Sequence, residues 1–340
     1  MKATMPEDPG GPKVAGPGSA MMGWSGAIAA GALVVVPLWM LLGNSAVLGG
    51  HPALPVLLLA AVALGLLWMF FLAKDSGLNK TRRLTNRGQP NRGQPKRTVS
   101  RWQLARSIVV RLTAVGLVAG LAWLNPFAYD PSGAAGQTTG TTAEDATSIT
   151  LAPEGKASAG LVFYPGARVD ARAYQDILGP IANAGHLVVI LKAPLGIPLL
   201  DTGQARSAMD AHPEITSWAV GGHSLGGVSA ASFAKSNEDA SGLLLFASYP
   251  ADSMAHTGNL SVLSISGSND GLTTAEKIAA SKALLPPTAR FATVVGGVHA
   301  FFGDYGEQPG DGEPRITRER AQEQIAAESV SFMDRLRAAG

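Results

Sequence analysis

A serine hydroxyl attacks a carbonyl only when a base takes its proton and a pair of donors holds the oxyanion that forms. One stretch of this chain has the form that presents such a serine. Gly222-His223-Ser224-Leu225-Gly226 follows a short apolar run from Trp218 and precedes Val228–Ala234, whose small residues suit a buried helix. Strand, sharp turn and helix in that order make the G-x-S-x-G pentad a nucleophile elbow, with Ser224 on a turn too tight for bulky neighbours. In a chain with 41 glycines the pentad alone arises easily by chance, so the flanking pattern gives it its meaning.

The base must come from six histidines. His51 lies between two long apolar runs. His186 opens a strand and reads as structural. His212 stands in a loop before Pro213, and His256 in a short connection after an apolar strand. His223, the variable position of the pentad, is expected to face away from the base. His299 follows the last predicted strand in Gly296-Gly297-Val298-His299, at the strand's C-terminal end, where parallel sheets bind and react. His299 is therefore the expected base. The acid that orients it is expected to be Asp270, at another strand end in Gly267-Ser268-Asn269-Asp270-Gly271. Its rivals are Asp252 and Asp304, and an Asp beside Gly also suits a plain turn. Leu225 supplies one oxyanion N–H. The second is expected from Pro165-Gly166-Ala167-Arg168; Pro165 has no N–H, so Ala167 is preferred, with Gly166 as fallback.

With Gly222–Gly226, Asp270 and His299 in that chain order, residues 147–340 resemble the α/β-hydrolase family. More narrowly, Phe163–Asp170, Gly221–Gly227 and His299–Gly306 are similar to a dienelactone-hydrolase-related branch found as membrane-tethered proteins. The resemblance implies a mostly parallel sheet covered by helices on both faces, an acyl-serine mechanism, and no cofactor or metal. Dienelactone hydrolases proper carry a cysteine where this chain has Ser224, so their substrate is not carried over.

The segments needed to position these groups are visible as short apolar strands alternating with helical patterns. Strands are predicted near 149–151, 159–164, 186–191, 218–222, 242–248, 260–266 and 291–295. Helices are predicted near 171–184, 202–211, 274–284 and 316–339. Only Tyr249–Asn259 separates two of the strands, leaving no room for a lid, which suits small or exposed esters. The loop Phe301–Pro314 is placed to border the pocket.

The chain before residue 147 is of another kind. Residues 1–23, rich in Pro, Gly and Ala, read as a disordered tail. Apolar runs near 24–43, 53–73 and 107–124 are each about the 20 residues needed to span a bilayer core of ~30 Å. The third contains Arg111, which near a helix end snorkels to the headgroups. A cleaved signal peptide is the rival reading of the first run. The loop 74–101 holds nine Lys or Arg and one acid, Asp75, which predicts that it stays cytoplasmic. The N-terminus is then inside, and everything after about Asn125 is outside. Within this loop Asn86–Pro90 repeats as Asn91–Pro95. Residues 125–146 read as a flexible linker.

Residues 1–149 carry 13 basic and 6 acidic side chains, and the remainder 14 and 19. The basic excess thus belongs to the membrane region and argues for no nucleic-acid partner; the expected partners are a small-molecule ester and the lipid bilayer. The absence of cysteine excludes disulfides, thiol catalysis and Cys-ligated metals. The expectation is a membrane-anchored serine carboxylesterase. An acyltransferase to a cell-envelope acceptor and a non-catalytic hydrolase-fold binding domain are the alternatives.

Overall fold

Strands apolar at every position must be buried on both faces, so such a sequence calls for a parallel sheet between two helical layers. The computed structural model describes residues 17–85, 100–130, 138–157 and 159–339. Eight strands form one sheet in the order β1-β2-β4-β3-β5-β6-β7-β8. They are β1 (Thr141–Glu144), β2 (Ser148–Ala152), β3 (Gly160–Tyr164), β4 (Leu187–Leu191), β5 (Trp218–His223), β6 (Ala240–Phe246), β7 (Ser261–Gly267) and β8 (Arg290–Val294). β1, β2 and β4 pair antiparallel, and from β4 to β8 all pairs are parallel.

Alternate residues of each central strand feed two cores. Leu161 and Phe163 of β3, with Leu244 and Phe246 of β6, pack under α5 (Gln175–Asn183) and α9 (Arg318–Ala339). Val162 and Tyr164, with Leu243 and Leu245, pack under α6 (Gln204–Asp210) and α7 (Leu225–Ser236). α8 (Ala275–Ser281) joins β7 to β8. Burying each large side chain contributes about 1.5–3 kcal/mol.

Three local expectations change. The helix foreseen over 171–184 opens as a 3-10 turn, Ala171–Tyr174, capped by Asp170, before α5 begins. His299 lies in a 3-10 turn, His299–Phe302, instead of an open loop. Thr141–Glu144 falls inside the stretch read as a linker yet pairs with β2 along its whole length. All four residues are exposed, so no apolar alternation marks them, and backbone pairing alone makes the strand. Phe127, in the same stretch, bridges Val169; residues 131–137 of it lie outside the described residues.

Among the described residues, three helices are long and apolar enough to cross a membrane, over Trp24–Gly43, Ala53–Asp75 and Leu104–Trp123. They belong to the helices α1 (Pro17–Gly43), α3 (Ala53–Thr85) and α4 (Arg101–Trp123); a short helix, α2 (Ser45–Gly49), precedes α3. α1 begins within the predicted tail, whose first 16 residues lie outside the described residues. α3 continues to Thr85, into the predicted basic loop, while the tandem repeat at 86–95 also lies outside them. Among the spans, Gly65 meets the backbone oxygen of Ala30 so closely that an added Cβ would sit 2.8 Å from it. Small residues at such crossings let helix backbones approach. Arg111 donates to Ser25 Oγ at 3.0 Å and to the Ser107 carbonyl at 2.7 Å, so its cost in an apolar span is offset by partners within the protein.

Gly226 opens α7 against the end of β3, where a Cβ would lie 2.2 Å from the carbonyl oxygens of both Tyr164 and Pro165. Neither backbone atom can swing aside as a side chain tip would. Gly226→Ala is expected to destabilise the fold by about 1–3 kcal/mol, read as a lowered midpoint of thermal unfolding.

Candidate active site

β4 lies on one side of β3 and β5 on the other, so the chain's crossovers diverge there, and it is outside the C-terminal ends of strands at such a point that open α/β sheets bind ligands. Strain collects at the same rim. Among the described residues, four non-glycine residues have positive φ: Arg168 at 60°, Leu195 at 54°, Ser224 at 52° and Ala247 at 44°. They follow β3, β4, β5 and β6 in turn. Such torsions cost about 1–3 kcal/mol each and persist where the surrounding structure over-determines them.

Ser224 has φ 52° and ψ −122°. Its N–H donates to the Phe246 carbonyl at 3.0 Å, and its own carbonyl accepts from Ser248 Oγ at 2.6 Å. The pentad glycines answer two separate contacts. A Cβ at Gly222 would lie 2.4 Å from the Gly226 carbonyl, whereas Gly226 meets the end of β3. The second contact sets the loop Pro165–Ala167 beside the N-terminus of α7. The Gly166 N–H is spent on Tyr174 Oη at 2.8 Å, which removes the fallback oxyanion donor. The Ala167 N–H has no partner among the described residues, and the Leu225 N–H is one of the open donors of the first turn of α7.

Asp270 and His299 meet. Nδ1 of His299 lies 2.8 Å from Asp270 Oδ2, and both side chains are fully buried. The other carboxylate oxygen accepts the N–H groups of Leu272 at 2.8 Å and Thr273 at 2.6 Å. An ionised carboxylate so bonded accepts only, so Nδ1 carries a hydrogen and Nε2 is the nitrogen that bears the lone pair in the neutral ring. That Nε2 is buried and without a partner among the described residues, and no hydrogen bond joins it to Ser224 Oγ.

Two groups not legible in the sequence complete the site. Asp311, on the long loop after His299, accepts the N–H of His299 at 3.0 Å and of Gly271 at 3.2 Å on Oδ1, and that of Ala300 at 2.8 Å on Oδ2. One carboxylate thus ties the loop of Asp270 to the turn of His299. His223, expected to face away from the base, packs its ring 4.5 Å from that of His299 and 5.9 Å from Phe302, nearly parallel to the latter. Tyr174 Oη lies 2.9 Å from His223 Nδ1 and, already accepting from Gly166, has its own hydrogen to donate there. Burial, and then repulsion from His299, hold His223 well below its ordinary pKa, so it is neutral. A buried residue under the site has no sequence signal beyond its place in the pentad.

The remaining candidates go elsewhere. Asp252 is exposed and 3.7 Å from Lys235. Asp304 is buried beside Gln322, whose Nε2 donates to Oδ1 at 2.8 Å. His186 pairs with Asp334 and His212 with Glu214, at 3.1 and 3.2 Å. His256 is exposed.

Replacing Asp311 by Ala frees three N–H groups that align base and acid. Fluorophosphonate labelling of Ser224 is expected to slow about 100-fold, the scale of a 1 Å misplacement, in a protein that remains folded by circular dichroism. Asp304 makes a pH prediction. Burial pushes its pKa up to about 6 against the opposing influence of Gln322 and Arg318. The fold therefore favours the protonated acid, and stability falls as pH rises from about 4 through about 6. Asp304 Oδ2 and Gln322 Oε1 are both unpartnered, so an amide at 304 can satisfy the pair. Asp304→Asn is expected to flatten the unfolding midpoint across that pH window.

Residues 160–323 match the model of the alpha/beta hydrolase family. No curated protein matches the chain. Among solved structures, a dienelactone hydrolase-like promiscuous phosphotriesterase from metagenomic libraries is similar at 18% identity, covering 56% of this chain and 92% of that one, with a TM-score of 0.43. The eight-stranded, mostly parallel sheet with a serine at the elbow after its fifth strand is that of an α/β-hydrolase domain, and residues 160–323 within it match that family's model.

Proposed function

We propose that the protein is a membrane-anchored serine hydrolase that cleaves small or surface-exposed carboxylic esters, with its hydrolase domain outside the cytoplasm. The observation that carries this reading is the buried 2.8 Å contact of Asp270 with His299 Nδ1, which leaves Nε2 as a basic nitrogen. Ser224 Oγ attacks the ester carbonyl carbon while its proton passes to Nε2. The oxyanion is received by the N–H groups of Leu225 and Ala167. The C–O bond to the alcohol then breaks, and the alcohol leaves with the proton from Nε2. Water attacks the acyl-serine, His299 again takes and returns a proton, and the acid departs from a restored Ser224. Asp270 keeps its partner oriented and offsets the imidazolium charge throughout. The mechanism requires Ser224 Oγ to close on Nε2 when substrate binds, as such contacts tighten in the Michaelis complex.

The connection from β6 to β7, residues 247–260, contains no helix that would cover the site, in keeping with an ester that need not be engulfed. The nine basic side chains between the second and third apolar runs support a cytoplasmic loop, and so an outward-facing domain. A panel of chromogenic esters tests the reading. Wild type is expected to turn over short esters and to be labelled by a fluorophosphonate, while Ser224→Ala does neither. Asp270→Asn is expected to lower kcat by about 10⁴ with little change in KM. Undiminished turnover by Ser224→Ala would overturn the assignment.

A further inference from the structure

The apolar runs ending at Gly43 and beginning at Ala53 are joined by residues 44–52. Wherever those runs cross a bilayer, so short a connection lies at its surface. This connection is fastened to the hydrolase domain. Asn44 Nδ2 donates to Asn125 Oδ1 at 2.9 Å and to the Pro126 carbonyl at 2.8 Å. Val47 and His51 line a narrow cavity together with Pro165 and Arg168, the residues that bracket Gly166-Ala167. Gly196, two residues before the 3-10 turn Pro198–Leu200, lines the same cavity, so the connection also lies near that turn. The oxyanion loop is thereby held against a segment that belongs at the bilayer surface.

The same neighbourhood exposes apolar side chains. Leu48 in α2 is 65% exposed, and Leu199 and Leu200 are 47% and 57% exposed. Leucines presented together with a surface-bound segment have a natural medium in the interfacial zone of the bilayer.

Resting on the serine-hydrolase reading, we infer that the substrate is an amphiphilic ester resident in the bilayer, whose carbonyl reaches Ser224 at headgroup level while its hydrocarbon stays in the leaflet. An open, lidless site suits this arrangement, because the lipid holds the chain and the protein need receive only the ester. Hydrolysis adds water across the C–O bond and releases a carboxylic acid and an alcohol, one of which remains in the membrane.

The test uses the full chain in phosphatidylcholine vesicles and two esters with the same scissile bond. Hexadecyl butyrate is dissolved in the vesicles, and methyl butyrate is supplied in water at equal total concentration. The anchored ester is expected to be cleaved at least about tenfold faster, through its raised effective concentration at the surface. The doubly substituted Leu199→Ser, Leu200→Ser protein, altered only at exposed positions, should lose most of that advantage and keep its rate on methyl butyrate. Turnover of methyl butyrate with no advantage for the anchored ester overturns this inference alone, as does an advantage untouched by the double substitution. Failure to cleave either ester, with Ser224 unlabelled by fluorophosphonate, overturns the hydrolase reading and this inference with it.

Discussion

A carboxylate without water must be surrounded by donors, or the protein interior will not hold it. Asp270 has a fully buried side chain and meets that demand with two backbone N–H groups on one oxygen and His299 Nδ1 on the other. This one carboxylate decides which nitrogen of His299 carries hydrogen, which way the ring faces, and which nitrogen is left to accept a proton. The ends of β7 and β8 must be adjacent for the contact to form, so it also depends on the order of the sheet.

Around this contact the structure spends rigidity unevenly. The central strands are covered on both faces and their side chains are nearly all inaccessible. The loops that leave their C-terminal ends hold the four non-glycine residues with positive φ among the described residues. Asp311 then binds N–H groups of both the Asp270 loop and the His299 turn, and Tyr174 links Gly166 to His223, whose ring packs against that of His299. Two polar networks hold loops that come from distant parts of the chain.

The segment between the first two apolar runs joins this arrangement through Asn44 and the residues that line the cavity beside Arg168. A tether alone would need no such contacts. Val47 and His51 instead line one cavity with Pro165 and Arg168, which flank the proposed oxyanion loop.

Much of this was legible in the order of residues. Apolar strands such as Leu187–Leu191, continuous because both faces are buried, announce a parallel sheet between helices. Gly222 and Gly226 flank Ser224 because backbone fills the space a Cβ would need, so the elbow follows from local sterics. Asp270 and His299 were legible as polar residues at strand ends, and long apolar runs as possible spans. Other features depended on the fold. Thr141–Glu144 carries no apolar pattern and is a strand only because β2 offers an edge. Asp311 reads as one more acid in a glycine-rich loop until chain closure brings three backbone N–H groups to it. His223 acquires its neighbours from α5's entry turn and the segment after β8 together. Covalent order sets torsions, patterns and periodicity, which are local. Which loop meets which depends on sheet order and burial, and these are settled only when the whole domain packs.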